Sequence, residues 1–350
     1  MTVIGSYTLT TEFKNEGGGQ CRWAFAEKDG REYFIKEFLA PRYPKHGSPK
    51  NKKKIEEECE KFKKRHEDIK KLLNEFAKPG GSLVTTKDFF RDGYNFYKIT
   101  DKIDVVAIPI QNIHTIDFKK QIILSLAAVH AVNAIHNAGM VHGDLKPANI
   151  LIAKTDEAFT AKVIDFDDSF IAGNPPPVDR LIGDLRYYSP EMHKYVQGEP
   201  NGSDITASSD IFALGIVLTE YFTGRRPYFP DKKYMNHTVA DAVLGGQTPE
   251  ITLNPDQQLL KDLILDMLKL NYKDRPSAFA IGRRLKDIKR NKKIPPPPSP
   301  ALLPSVSTPT VTSKVTGTLV SKMKKDVVSS PSILKGTLIN KPKPKLDPGG

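Results

Sequence analysis

His142-Gly143-Asp144-Leu145-Lys146-Pro147-Ala148-Asn149-Ile150-Leu151 is the stretch around which the 350-residue chain is organised. Sixteen residues after Asn149 comes a second acidic site, Ile164-Asp165-Phe166-Asp167. In both places a carboxylate or amide stands beside strand-like residues: Asn149 precedes Ile-Leu-Ile, and Asp165 follows Lys-Val-Ile. The pattern predicts a loop and a hairpin that aim two carboxylates and an amide at one spot. Phosphoryl transfer needs such a group: one carboxylate for the attacking hydroxyl, a second for Mg²⁺, an amide to complete the metal site and a lysine to neutralise the moving phosphoryl group. Asp144, Asp165, Asn149 and Lys146 fill those roles in that order.

The segment resembles the catalytic loop and metal-binding motif of eukaryotic-like (Hanks-type) Ser/Thr protein kinases. It also resembles aminoglycoside and choline phosphotransferases, which share that fold and often read His-Gly-Asp here. The Pro-Glu segment and the late arginine further along, with Lys146 in the loop itself, favour the protein kinases. Gly183-Asp184-Leu185-Arg186-Tyr187-Tyr188-Ser189-Pro190-Glu191 is similar to the family's Pro-Glu segment. Lys273-Asp274-Arg275-Pro276-Ser277 is similar to its late arginine segment, which implies an Arg275–Glu191 pair. Lys146 stands where the small-molecule enzymes usually carry histidine. The resemblance covers residues 6–288 and implies an α+β, two-lobed protein-kinase-like fold: a small antiparallel-sheet N-lobe with one helix at 1–104 and a mostly helical C-lobe at 105–290. It implies ATP and Mg²⁺ as cofactors and a protein substrate. A nucleotide-binding pseudokinase scaffold is the alternative of another class.

Upstream, residues 6–14 alternate like a half-exposed strand, and 22–26 read as a second. Between them lie Gly17, Gly18 and Gly19, whose amides can fold over phosphates, although the spacing departs from the family's glycine loop. Lys28-Asp29-Gly30-Arg31 predicts a tight turn into a strand ending near Phe34-Ile35-Lys36, and the resemblance makes Lys36 the nucleotide lysine. Residues 50–76 form a charged helical pattern with Ile55, Cys59, Phe62, Ile69 and Leu73 along one stripe. The resemblance requires a glutamate here to pair with Lys36. Glu56, Glu57, Glu58, Glu60 and Glu67 compete, and Glu58 lies nearest the stripe. Strands at 83–90 and 94–100 lead to Thr100 at the back of the implied adenine pocket. Asp101 through Ile103 would be the hinge that meets the base.

Residues 118–138 read as a buried helix that delivers the loop, and 208–224 as an apolar helix capped by Ser208-Ser209-Asp210. The resemblance makes Asp210 a tie from that helix to the loop backbone. Three positions depart from the family. Gly143 replaces the arginine that receives an activating phosphate, and Ser169 is the only hydroxyl residue between Asp165 and Gly183, so the site is expected to assemble without phosphorylation. Asp167 replaces a glycine and reads as a hydrogen-bonded turn residue. Asp184 replaces a threonine, and a carboxylate there is expected to pair with Lys146.

The net charge of +12 suggests nucleic-acid binding until it is located. From Asn291 to Gly350 there are ten lysines, two aspartates and no arginine or glutamate, so +8 of the charge belongs to this stretch. The remainder is close to balanced, and no nucleic-acid partner is expected. Eleven prolines among many Ser, Thr and Lys predict a disordered tail at 291–350. It carries Gly317-Thr318-Leu319 and Gly336-Thr337-Leu338 in similar surroundings. Thr318 and Thr337 are candidate phosphoacceptors that would recruit a phosphothreonine-reading partner. Two cysteines, Cys21 and Cys59, suit a reducing cytoplasm rather than a disulfide framework. Neither a secretory signal nor a membrane span of ~20 apolar residues is expected.

Overall fold

The computed structural model describes residues 2–15, 21–44, 51–77, 81–104, 110–154, 159–181, 183–199 and 202–290. Gly17, Gly18, Gly19, Thr318 and Thr337 lie outside them. The first strands are β1 (Val3–Ile4), β2 (Tyr7–Leu9), β3 (Cys21–Lys28) and β4 (Arg31–Phe38). Helix α1 (Lys52–Phe76) follows, then β5 (Thr86–Asp92) and β6 (Asn95–Asp101). Together the strands make one antiparallel sheet in the order β1-β2-β3-β4-β6-β5. The turn between β3 and β4 is Asp29-Gly30, with φ of 52° and 71°. Two successive left-handed residues match the twist of a two-residue hairpin, as the Asp-Gly pair predicts.

The expected strand over 6–14 is shorter than its alternation suggests. Beyond Leu9, the amides of Thr10 and Thr11 both reach the Phe25 carbonyl (2.9 and 3.4 Å), and Thr11 Oγ1 accepts from the Phe25 amide (2.9 Å). Two residues thus oppose one, and the ladder breaks. Helix α1 buries Cys59, His66, Ile69 and Leu73, with Ile55 and Phe62 packed partly beneath the sheet. His66 completes the stripe at a position that reads as polar. It lies among Phe62, Phe89 and Phe38, with ring centroids at 4.4, 4.6 and 5.0 Å.

The helical part contains α2 (Phe118–Asn137), α3 (Pro190–Val196), α4 (Ala207–Thr223), α5 (Val239–Leu244), α6 (Gln258–Met267) and α7 (Ala278–Lys289). Strands β7 (Met140–Val141) and β10 (Phe170–Ile171) pair with each other, as do β8 (Ile150–Lys154) and β9 (Phe159–Val163). Helix α4 is buried on nearly every face and packs Phe212, Leu214, Val217 and Tyr221 against Val132 and Ile135 of α2, Leu263 of α6 and Ile281 of α7. Burying each such side chain contributes roughly 1.5–3 kcal/mol, so this cluster is the rigid base beneath the loop at 142–149. The cap of α4 is Thr206, whose hydroxyl accepts from the Ser208 amide, and not the expected Ser208-Ser209-Asp210. Asp210 sits in the first turn and is free for another task.

Candidate active site

Strand β7 ends at Val141, and the loop that begins at His142 is held from below by Asp210. Its Oδ2 accepts from the His142 amide (2.8 Å) and its Oδ1 from the Gly143 amide (3.1 Å), the tie expected from sequence. His136 Nε2 lies 3.0 Å from the same Oδ2. The His142 ring is fixed at both nitrogens: Nε2 lies 3.0 Å from the Ile164 carbonyl, and Nδ1 accepts from the Asp144 amide (3.3 Å). The network assigns the tautomer with Nε2 protonated, and one side chain joins both acidic segments.

Gly143 has φ of +80°, and a Cβ there would stand 3.0 Å from the Asp168 carbonyl and from Phe170 Cε1. Left-handed backbone and close approach together account for glycine where the family carries arginine.

Asp144 is fixed by three donors. Its Oδ2 accepts from Lys146 Nζ (2.6 Å) and Asn149 Nδ2 (2.9 Å), and its Oδ1 accepts from the Asp184 amide (3.1 Å). Asn149 Nδ2 also donates to the Asp144 carbonyl (2.8 Å), and the Ile164 amide donates to the Asn149 carbonyl (3.0 Å). The expected Asp184–Lys146 pair does not form. Asp184 instead accepts from Arg186 Nε at 2.8 and 3.1 Å, and this bond, despite partial burial, holds its carboxyl below the usual range. The shorter reach within one turn of chain decides the partner.

Lys36 and Asp165, 129 residues apart, meet with Nζ 2.9 and 3.1 Å from the two carboxylate oxygens. Asp165 is left-handed (φ +64°), a conformation that costs on the order of 1 kcal/mol or more outside glycine and clusters at working sites. Phe166 turns inward against the His142 ring (5.1 Å). Lys36 also donates to Asp167 Oδ2 at 2.6 Å. Burial alone would lower the Lys36 ammonium; Asp167 and then Asp165 outweigh it and hold it above its ordinary value.

Glu58 is not the partner of Lys36. Among the described residues the ion pairs of Lys36 go to Asp165 and Asp167, and Glu58 has none. Sequence reasoning also missed Lys98, a buried lysine directly across the ladder from Lys36. Its Nζ contacts Asp167 Oδ1 and lies 3.6 Å from Asp165 Oδ1. The available signal was a charged residue inside the apolar run Phe96-Tyr97-Lys98-Ile99. Asp167, read as a turn residue, is half-buried against Lys36, Lys98 and His66, its side chain 14% exposed. Burial would raise its carboxyl, but Lys36 and Lys98 hold it well below the usual carboxylate range. Asp168 goes the other way. Burial, together with Asp167, Asp165 and Asp144, pushes it up to about 7.

Asp101 ends β6 and pairs with Lys87 at 3.0 Å, while Lys102 pairs with Glu32 at 2.7 Å; Ile103 is half-buried. The Arg275–Glu191 pair forms as expected, through two parallel bonds of 2.7 and 2.9 Å. Ser169 is buried, with its hydroxyl donating to the His142 carbonyl (3.2 Å). Among the described residues no helix is long and apolar enough to cross a membrane.

A family model described as the protein kinase domain matches residues 17–284. A Ser/Thr-protein kinase of Corynebacterium efficiens, drp72, is 29% identical over 215 residues, 59% of this chain and 38% of that protein. The Ser/Thr-protein kinase PknA of Corynebacterium glutamicum is 27% identical over 184 residues, 52% of this chain and 36% of that protein. PknB of Mycobacterium leprae is 33% identical over 143 residues, 39% of this chain and 21% of that protein. The matches thus span less than two fifths of each relative's length. The family model covers most of the chain, and the curled antiparallel sheet set beside a helical lobe agrees with it: the chain belongs to the protein kinase domain family.

Proposed function

We propose that the protein is a Ser/Thr protein kinase that transfers the γ-phosphoryl group of ATP to hydroxyls of protein substrates. The observation that carries this reading is the convergence of Lys36 with Asp165, beside an Asp144 carboxylate held by Lys146 and Asn149. Asp144 takes the role of orienting the substrate hydroxyl and receiving its proton. As the hydroxyl oxygen bonds to the γ-phosphorus, the bond to the β–γ bridging oxygen breaks and ADP leaves. Lys146, 2.6 Å from Asp144, is placed to neutralise charge on the moving group. Lys36 takes the α- and β-phosphates, with Asp101 through Ile103 meeting the base and Gly17, Gly18 and Gly19 covering the phosphates.

Asp165 and Asn149 suit Mg²⁺. The Asp165 side chain is 34% exposed, and Asn149, whose amide nitrogen is committed to Asp144, has its oxygen left to offer. A carboxylate and an amide oxygen are the hard donors this ion accepts beside water and phosphate. When bound, Mg²⁺ supplies charge neutralisation at the phosphate oxygens.

In this reading residues 1–104 and 105–290 act as the two lobes of the enzyme. Thr318 and Thr337 are phosphoacceptors in a tail that a phosphothreonine-reading partner would bind. Free thiols at Cys21 and Cys59, both buried, suit a cytoplasmic setting. The test is incubation with radiolabelled Mg-ATP and a generic basic protein, wild type beside Asp144→Ala, followed by mapping of labelled residues. Label on Ser or Thr that disappears in the variant is expected. Equal label in both refutes the role of Asp144, and an unlabelled tail removes Thr318 and Thr337.

A further inference from the structure

The glutamate that a kinase helix usually offers to the nucleotide lysine is missing from the place where α1 comes nearest Lys36. Among the described residues, the α1 side chain that meets the charge cluster is His66, whose Nδ1 lies 3.8 Å from Asp167 Oδ1. His66 is wedged among three phenylalanine rings, and burial pushes it down to about 3, so it is a neutral core residue. Glu58 sits eight residues earlier, which at about 1.5 Å per residue is roughly 12 Å back along the helix axis. Among the described residues, Glu60 is taken by the Tyr43 hydroxyl and Glu67 by Lys63.

Asp167 stands in the vacated role. Its two oxygens are divided between two lysines on neighbouring strands: Oδ2 accepts from Lys36 at 2.6 Å and Oδ1 from Lys98. Lys36 and Lys98 face each other across the ladder, a like-charged pairing that is unfavourable without carboxylates between them. Two lysines and two aspartates, Asp165 and Asp167, make the cluster neutral. When Lys36 turns to nucleotide phosphates and Asp165 to a metal ion, Lys98 still holds Asp167. Without Lys98 the cluster would carry a net negative charge beside an anionic nucleotide.

We infer that Asp167 and Lys98 are positioning residues for the nucleotide: Asp167 anchors Lys36 in place of a helix glutamate, and Lys98 holds and neutralises Asp167. The inference rests on the kinase reading and adds that the anchor of Lys36 belongs to the metal-site turn and the sheet. Swinging α1 would therefore not disconnect the lysine.

The test uses the full chain as wild type, Lys98→Met, the double variant Asp167→Asn/Lys98→Met, and Glu58→Gln. The double variant keeps the cluster neutral, with Lys36 on Asp165, whereas Asp167→Asn alone would leave two lysines on Asp165. Mg-ATP affinity is measured by calorimetry, kcat and KM for ATP by transfer to a basic protein, and Tm by thermal unfolding. The double variant is expected to lose about ten- to a hundredfold in kcat/KM for ATP, in the range typical of lost supporting partners, with Kd weakened in step and Tm near wild type. Lys98→Met is expected to weaken Kd in the same direction. Wild-type Kd and kcat/KM in the double variant overturn the inference, and so does a loss in Glu58→Gln as large as in the double variant. If wild type binds Mg-ATP but transfers nothing, the kinase reading falls while the Kd comparison still decides the anchor.

Discussion

Replacing Arg275 with methionine removes a guanidinium whose donors are all in use. Nη1 donates to Glu191 Oε1 (2.7 Å) and the Ser208 carbonyl (2.9 Å), Nη2 to Glu191 Oε2 (2.9 Å) and the Leu270 carbonyl (3.1 Å), and Nε to the Lys269 carbonyl (2.8 Å). The side chain has no solvent exposure and lies 4.9 Å from the Phe212 ring centroid. Taking away one partner leaves Glu191 as an uncompensated buried charge, a loss of about 3–5 kcal/mol. For a folded region of this size each kcal/mol lowers Tm by roughly 2–4 °C, so the fall should be about 6–20 °C. Arg275→Lys should lose much of the same, because an ammonium cannot make the planar fork. Glu191→Gln/Arg275→Met removes both charges and should recover about 1–3 kcal/mol of the loss, read as a coupling in a double-mutant cycle. Thermal and urea unfolding give both quantities. A single variant melting within about 2 °C of wild type would refute the assignment of this pair as the clamp between α3 and the segment before α7.

Further outcomes follow from the same geometry. Gly143→Ala forces a Cβ onto a left-handed residue and should cost at least about 1–2 kcal/mol; crowding against Asp168 and Phe170 should also displace the loop, so transfer should fall more steeply than Tm. His66 is held down to about 3 from its ordinary value near 6.5, so the unfolded chain takes up its proton first as pH falls below 6.5. Its contribution is therefore intact above that value and declines on acidification, by roughly 2 kcal/mol at pH 5. His66→Phe should flatten this part of the stability–pH curve, measured as the difference from wild type in urea unfolding. Ser169→Ala should retain transfer, since the hydroxyl is buried on the His142 carbonyl and not offered to a kinase; loss of transfer, with phosphate found on wild-type Ser169, would show an activation switch.

The loop from His142 to Asn149 was legible because its chemistry is local: residue types at short spacing fix which groups share a turn. Arg275 with Glu191, and Asp210 with the loop backbone, were legible for a different reason: the family resemblance implies both pairings, and the residues around them do not by themselves name a partner. The partner of Lys36 was not. A helix such as α1, with glutamates at six positions, does not reveal its rotation or depth from its own sequence; those are set when His66 packs among Phe38, Phe62 and Phe89. Lys98 was hidden because a strand lysine usually points to water, and only the ladder places it against Asp167. The pairing of Asp184 was misjudged for want of Arg186, two residues on, as a nearer cation.

The most direct measurement is steady-state phosphoryl transfer by Asp144→Asn beside wild type, with Mg-ATP affinity measured on the same preparations. Loss of the group that accepts the hydroxyl proton should lower kcat by about a hundred- to ten-thousandfold, with Kd for Mg-ATP and Tm close to wild type. Transfer that persists at the wild-type rate would contradict the placement of the chemistry at Asp144.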